Sequence, residues 1–231
     1  MTHHAPRTTK RPGGRWLHLL AISLLGFPCL AQTNFTALTT NSAPIGIETN
    51  SSAWDFTAFS YTYVVPDSRD YVQLTFAANH DWLHLEARYN YEALDTGSAW
   101  LGYNLEGGNK VKWTFTPMFG GVFGDVNGVA PGYQFQINWW KLEFYSEAEY
   151  VRDFGEPSAS FLYNWNEFSV YPLEWLRVGM VTQRNLPQKG DNELWRGFLV
   201  GATYKSLSFA TYVFNPGAST PTLVFALGVK F

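Results

Sequence analysis

The sequence has one cysteine, five histidines and little charge. Asp, Glu, Lys and Arg make up 15% of the 231 residues, whereas soluble domains contain roughly 25%. The only cysteine is Cys29, so the chain after it has no disulfide, thiolate metal site or cysteine nucleophile. No stretch approaches about 18 consecutive apolar residues, which excludes membrane-spanning helices.

Aromatic residues, in contrast, are abundant. They make up 18% of the chain, with 10 Trp, 13 Tyr and 18 Phe, although the mean hydropathy is only −0.16. This combination suits a protein whose apolar residues are spread over an outer surface rather than gathered in a core. A transmembrane β-barrel has this composition because apolar and polar residues alternate along every strand.

Residues 1–31 have the organisation of a cleaved secretory signal peptide. Basic residues precede an apolar run from Trp16 to Phe27, which is too short to span a membrane comfortably. Cys29 and Ala31 are small residues at the −3 and −1 positions of a cleavage before Gln32. Removal of this segment leaves 12 basic and 19 acidic side chains, a formal net charge of −7.

The remaining chain divides into two parts. Residues 32–52 are rich in Thr, Asn and Ser and show no period, so we predict a flexible periplasmic segment. From Ala53 to Phe231 the hydrophobic pattern has a period of two, which indicates strands. In the clearest strand, Trp82 to Glu92, one face carries Leu83, Leu85, Ala87, Tyr89 and Tyr91, and the other carries His84, Glu86, Arg88, Asn90 and Glu92.

The same alternation recurs in Lys141–Val151, Trp175–Gln183 and Trp195–Lys205. Strands of about ten residues suit a tilted crossing of the hydrocarbon layer. The predicted connections alternate between a tight set (Asn79–Asp81, Gly107–Lys110, Asn138–Lys141, Tyr171–Glu174, Lys205–Ser208) and a longer set (Pro66–Asp70, Ala93–Gly97, Gly120–Pro131, Arg152–Ser158, Asn185–Leu194, Asn215–Thr220). This alternation predicts an all-β, antiparallel, up-and-down transmembrane barrel of about twelve strands, with ten as the alternative.

Aromatic residues cluster beside these connections, as expected of girdles at the membrane surfaces. The tight turns are flanked by Trp82, Trp113, Trp139, Trp140 and Trp175, and the longer loops by Tyr91, Tyr150 and Trp195. A set of aromatics that only filled a core would not collect next to turns.

The last strand ends the chain on a phenylalanine. Its apolar face carries Leu223, Phe225, Leu227, Val229 and Phe231. This pattern resembles the C-terminal signal by which bacterial outer-membrane β-barrels are recognised by the barrel-assembly machinery. The resemblance implies an outer-membrane location in a Gram-negative envelope, in contact with outer-membrane lipids and lipopolysaccharide, and it implies no particular substrate.

Nothing in the sequence points to catalysis, a cofactor or nucleic-acid binding. Two histidines follow residue 31: His80 in a predicted turn and His84 one step into a strand. The pair shares a face with Glu86, which would permit a metal site, but a turn residue and a lumenal hydrogen-bonding group are the simpler interpretation. We therefore predict neither an enzyme nor a metal centre; a lipid-modifying outer-membrane enzyme is the third alternative.

The polar strand faces predict the lumen. The candidate lining residues are His84, Glu86, Arg88, Asn90, Lys112, Gln134, Gln136, Lys141, Glu143, Glu147, Glu149 and Arg177. Because small or polar residues such as Asn138, Asn164 and Gly201 accompany them, we predict a narrow porin-like diffusion channel with a weak cation preference. The alternative is a lumen closed by cross-barrel ion pairs, in a barrel that anchors or holds a partner of the cell envelope.

Overall fold

The computed structural model describes residues 53–66, 68–189 and 192–231. The predicted signal peptide (residues 1–31) and N-terminal segment (residues 32–52) lie outside the described residues and stay predictions. Within the described ranges, no helix is long and apolar enough to cross a membrane.

Strands form nearly all of the regular structure, with one short 3₁₀ turn at Pro157–Ala159. The strands are β1 (Asp55–Val64), β2 (Tyr71–His80), β3 (Leu83–Tyr89), β4 (Thr96–Tyr103), β5 (Leu105–Gly107), β6 (Val111–Gly124), β7 (Gly128–Trp139), β8 (Leu142–Asp153), β9 (Phe161–Leu173), β10 (Leu176–Pro187), β11 (Glu193–Tyr204), β12 (Leu207–Phe214) and β13 (Thr222–Lys230). The predicted all-β class is confirmed.

Sequential antiparallel pairing closes these strands into a barrel. The first strand, β1, pairs with both β2 and β13, and β4 pairs with β6. The ends of the sheet meet at Phe56 and Phe231, which exchange two backbone hydrogen bonds of 3.1 and 3.0 Å. A closed barrel leaves no strand edge exposed in the hydrocarbon layer.

The strand count is twelve, with β5 as a continuation of β4. Gly102 pairs with Met118 and Leu105 with Phe115, so the register is unchanged across the gap between β4 and β5. Pro117 stands opposite this gap, and proline has no N–H to donate to the ladder. The predicted number of strands is confirmed, and the alternative of ten is excluded.

The connections define two ends of the barrel. The short-turn end carries the connections at residues 81–82, 108–110, 140–141, 174–175 and 205–206, and the long-loop end carries those at 65–70, 90–95, 125–127, 154–160, 188–192 and 215–221. The tight turns force Asp81, Trp140 and Lys205 to positive φ angles of 50°, 54° and 55°. One expected loop is wrong: most of 120–131 is strand, because β6 and β7 pair as far as Val122 and Gly128.

The outer surface is apolar and the polar strand faces point inwards. Val200 and Leu227 are 55% and 54% exposed, although both lie in mid-strand. Trp82, Trp113, Trp139, Trp140 and Trp175 are exposed near the short turns, as predicted. This distribution is the reverse of that in a soluble sandwich, and it suits a barrel whose outside contacts lipid.

Two aromatics assigned to the outer girdle instead point inwards at the long-loop end. Tyr91 lies against Tyr163, and Trp195 against Phe214. The positive φ of Asn90 (56°) ends the alternation of β3, so Tyr91 leaves the face that Tyr89 occupies. Trp195 shares the inner face of β11 with Gly197 and Leu199, whereas the neighbouring Leu194 lies on the outer face.

Candidate functional site: the barrel lumen

The lumen has two halves of different chemistry. Towards the long-loop end, aromatic and aliphatic side chains pack into a buried cluster that includes Tyr63, Trp100, Val151, Tyr163 and Phe214. Towards the short-turn end, the inward positions are polar and charged, as with His84, Glu143 and Arg177. The long-loop half of the lumen is therefore mainly apolar, and the short-turn half carries most of the polar lining. One cavity borders residues of both halves, from Tyr63 and Tyr163 to Ser206.

Trp100 shows how the apolar half is packed. Its indole lies over Gly120 on the neighbouring strand β6, where an added Cβ would come within 2.5 Å of the ring. The indole Nε1 donates to Ser98 Oγ at 2.9 Å and to Glu92 Oε1 at 3.2 Å. A glycine opposite a tryptophan thus lets the largest side chain occupy the barrel interior with its polar atom satisfied.

Arg88 is the centre of the first ion-pair network. Its Nε donates to Glu86 Oε1 and its Nη1 to Glu149 Oε2, both at 2.8 Å, and Glu92 lies 3.9 Å away. The guanidinium stands between the rings of Tyr91 and Trp100, 4.2 and 4.7 Å from their centroids. Because Glu149 belongs to β8, this network joins walls of the barrel that are not neighbours in the sheet.

Arg177 is the centre of a second network on the other side of the lumen. Its guanidinium is ion-paired with Glu167 and lies 3.8 Å from Glu143, and its Nε donates to Ser169 Oγ at 3.0 Å. Glu167 also accepts hydrogen bonds from Trp165 (2.9 Å) and Tyr212 (3.0 Å). Glu167 therefore connects the ion pairs to the aromatic cluster.

His84 serves as a buried hydrogen-bonding group. Its Nε2 lies 3.0 Å from Glu86 Oε2 and its Nδ1 lies 2.8 Å from Asn79 Oδ1. His80 sits beside Asp81 at the turn, 3.5 Å from its carboxylate. Among the described residues, no group of three His, Cys, Asp or Glu side chains could hold a metal ion.

Glu147 differs from the other lumenal carboxylates. It accepts a hydrogen bond of 2.5 Å from the Tyr145 hydroxyl, and no described Lys, Arg or His forms an ion pair with it. It is 8% exposed and lines a cavity of about 120 Å³. The cavity also borders Glu86, Gln134, Tyr61 and Trp165.

The lumen is strongly acidic. Among the described residues, six buried glutamates face two buried arginines there; the glutamates are Glu86, Glu92, Glu143, Glu147, Glu149 and Glu167, and the arginines are Arg88 and Arg177. The candidate lining residues chosen from the sequence include Lys112 and Lys141, and neither lysine belongs to this buried set. Lys112 is exposed at the short-turn mouth. Lys230 borders the lumenal cavity near that mouth, and its Nζ pairs with Asp55 at 2.9 Å.

The structure places eight predicted lining residues in the buried interior: His84, Glu86, Arg88, Gln136, Glu143, Glu147, Glu149 and Arg177. Gln134 is half-buried and donates to Glu86 at 2.9 Å. Asn90 and Lys141 are not lining residues. Asn90 occupies the turn after β3, and Lys141 lies in the turn after β7, where its Nζ donates to the Pro172 carbonyl at 3.0 Å.

Strand β9 holds the residues that the sequence missed. Its inward face carries Tyr163, Trp165 and Glu167, and its outward face carries Asn164 and Phe168. Asn164 therefore points away from the lumen, contrary to the prediction, and donates to the Glu147 carbonyl at 2.9 Å. Aromatics inside and asparagines outside invert the usual pattern, so alternation alone does not assign the faces of this strand.

Comparison with known proteins adds evidence on the fold. No protein-family model and no curated protein sequence matches the chain. Among solved structures, the chain is similar to the KdgM porin, with a TM-score of 0.54 and 10% identity over 76% of this chain and 99% of that one. It also aligns with OccK5 (OpdH) of Pseudomonas aeruginosa, with a TM-score of 0.43 and 11% identity over 77% of this chain and 66% of that one. The first similarity, together with the closed pairing of the strands, shows an antiparallel β-barrel fold like that of the KdgM porin.

Proposed function

We propose that this chain is an outer-membrane channel with a narrow lumen and a preference for cations. The fold, the apolar outer surface and the C-terminal strand ending on Phe231 support an outer-membrane location. The predicted signal peptide is consistent with export, and the short-turn end would then face the periplasm. The observation that carries the channel proposal is the polar half of the lumen, which contains a cavity lined by Gln134, Glu147 and other polar side chains.

The charge of the lumen supports the cation preference. Six buried glutamates against two arginines give the interior an excess of negative charge when the carboxylates are ionised. Fixed charge on a low-dielectric wall focuses the potential and raises the local concentration of the opposite ion. A cation entering from the short-turn end would thus meet a favourable potential, whereas an anion would be repelled.

The limiting section lies at the ion pairs of Arg88 and at the aromatic cluster beyond them. Tyr63 and Phe214, which belong to this cluster, are 1% and 0% exposed, so conduction requires these side chains to move. We therefore expect a small conductance with frequent closures rather than the steady current of a wide porin.

A closed barrel that anchors or holds an envelope partner is the second candidate function. The ion pair between Arg88 and Glu149 supports it, because this contact crosses the lumen and ties two separate strands together. In that case the buried ion pairs would serve to hold the walls in place, and no ion would pass.

Single-channel recording in a planar bilayer tests the proposal. In a tenfold KCl gradient, the wild-type protein should give a small current whose reversal potential has the sign of cation preference. Glu147→Gln should move this potential towards zero, because it removes a buried lumenal carboxylate that forms no ion pair with any described residue. The shift should shrink at high salt, since screening shortens the reach of the charge.

The matched control is Glu156→Gln, which neutralises an exposed carboxylate in the loop at residues 154–160. This variant should keep the reversal potential of the wild type. Absence of any wild-type conductance in protein that is correctly folded would overturn the channel and favour the closed barrel. If neither substitution changed the reversal potential, the protein would still be a channel, but Glu147 would not be the source of its selectivity.

A further inference from the structure

We infer that the lumenal cavity beside Glu147 is a binding site for a small organic cation that carries an ammonium group. The inference rests on the proposed function, because it names the class of solute that an acidic, aromatic lumen would select. It rests on three observations, which are the aromatic walls, the carboxylate without a charged partner and the size of the cavity.

The first observation is the aromatic wall. Tyr61, Trp165 and Tyr212 border the cavity and contact one another at centroid distances of 5.4 to 6.5 Å. Trp165 meets both tyrosines nearly edge to face, at interplanar angles of 70° and 71°. The faces of such rings carry negative electrostatic potential, and ammonium groups are recognised by aromatic cages of this kind.

The second observation is the position of the charges. Two other glutamates on the cavity wall are already compensated, since Glu86 pairs with Arg88 and Glu167 pairs with Arg177. Glu147 is as deeply buried as they are, but its contact is a single hydrogen bond from the neutral Tyr145. A buried carboxylate without a counter-ion is costly, so a cation in the cavity would supply the missing charge.

The third observation is the volume of about 120 Å³. An apolar cavity of about 150 Å³ in another protein holds benzene, a molecule of six heavy atoms. The present cavity therefore suits a ligand of about that size, and a compact ammonium ion fits it better than a sugar or a peptide.

Choline and its uncharged carbon isostere, 3,3-dimethylbutan-1-ol, are a matched pair of probes. Isothermal titration of the refolded full-length barrel in 0.1 M NaCl (about physiological screening) should show choline binding at least about tenfold tighter than the isostere, as expected if charge adds upwards of about 1.4 kcal/mol. Equal binding of the two would mean a merely apolar cavity and would overturn the inference. Undetectable binding of choline would overturn it as well.

Variants separate the roles of charge and rings. Glu147→Gln should weaken choline binding at least about tenfold and leave the isostere unaffected, whereas Glu156→Gln should change neither. Tyr61→Phe keeps the ring and should bind like the wild type, but Tyr61→Leu removes the ring and should weaken choline binding. Heat-modifiable migration on a gel checks that each variant is folded; if folded Tyr61→Leu or Glu147→Gln binds choline as the wild type does, the site is not the one described.

Conductance measured on the same preparations distinguishes this inference from the proposed function. Choline binding in a barrel without conductance would support the cation site and overturn the channel. Conductance without choline binding would leave the channel standing and overturn the site. Conductance that choline blocks in the wild type, but not in Glu147→Gln, would support both.

Discussion

Arg88 on β3 donates a hydrogen bond of 2.8 Å to Glu149 on β8, a residue 61 positions away in the sequence. The two strands are separated by β4, β6 and β7 around the barrel, so the bond runs through the lumen rather than along its wall. Both side chains are almost fully buried. This contact fills the lumen at its middle level with packed side chains, so its loss should lower the stability of the barrel.

Arg88→Met should lower the free energy of unfolding by about 3–5 kcal/mol, because it leaves Glu86 and Glu149 buried without their counter-charge. A urea titration of refolded protein in detergent measures this. Arg69→Met is the control: the Arg69 side chain is 76% exposed and lies 4.0 Å from Asp95, so its loss should cost less than about 1 kcal/mol. Stability of Arg88→Met equal to that of the wild type would show that the ion pairs do not hold the walls together.

The double variant Arg88→Met/Glu149→Gln refines this test. Removing the carboxylate together with its partner should recover part of the lost stability, since one buried charge is no longer uncompensated. Full additivity of the two single substitutions would mean that the residues do not interact in solution.

A charged substitution on the lipid-facing surface should cost more folding free energy the deeper it lies in the membrane. Val200→Arg, in mid-strand on the outer face, should cost about 2–4 kcal/mol, whereas Tyr204→Arg, next to the short turn, should cost about 0–1 kcal/mol. Tyr204 is 72% exposed and is followed directly by the turn residue Lys205. Equal costs at the two positions, measured by denaturation from phospholipid vesicles, would argue against a membrane-embedded outer face.

Inward positions should tolerate larger side chains less well than they would if the lumen were wide and filled with water. Ala226 is completely buried, and an added Cβ at Gly201 would lie 3.1 Å from the Phe209 carbonyl oxygen. Ala226→Leu should therefore destabilise the barrel by about 1–3 kcal/mol through overpacking. A neutral outcome in the same urea titration would mean that this level of the lumen is open.

Deleting Phe231 should reduce the amount of membrane-inserted protein. In the structure its ring lies 5.9 and 6.3 Å from those of Phe56 and Phe76, and its backbone pairs with Phe56 where the barrel closes. The deletion would remove both this closure and the terminal pattern that resembles the assembly signal. Western blots of outer-membrane fractions measure the effect, with Phe231→Trp, which keeps an aromatic terminus, as the control.

Export should leave a new N-terminus at or near Gln32, because the apolar run and the small residues before it match a signal peptide. Mass spectrometry of protein purified from the outer membrane gives this terminus directly. A soluble periplasmic protein that retains residues 1–31 would contradict the prediction.

The sequence by itself determined the class of fold, because residues two positions apart in a strand point to the same face of the sheet. Strand β3 illustrates this: His84, Glu86 and Arg88 alternate with apolar residues, and the structure places all three inside. The count of twelve followed from the alternation of tight and longer connections between successive strands. Only local information was required for these inferences.

The tertiary structure decided what the lumen contains. Alternation states that Glu147 and Glu149 point inwards, but it does not state which of them meets an arginine, because the partners come from strands distant in sequence. It also failed on β9, where Trp165 and Tyr163 take the inner face. Buried aromatics are as stable inside a narrow barrel as in lipid, so hydrophobicity alone does not assign their side, and only the packing of all twelve strands around one axis does.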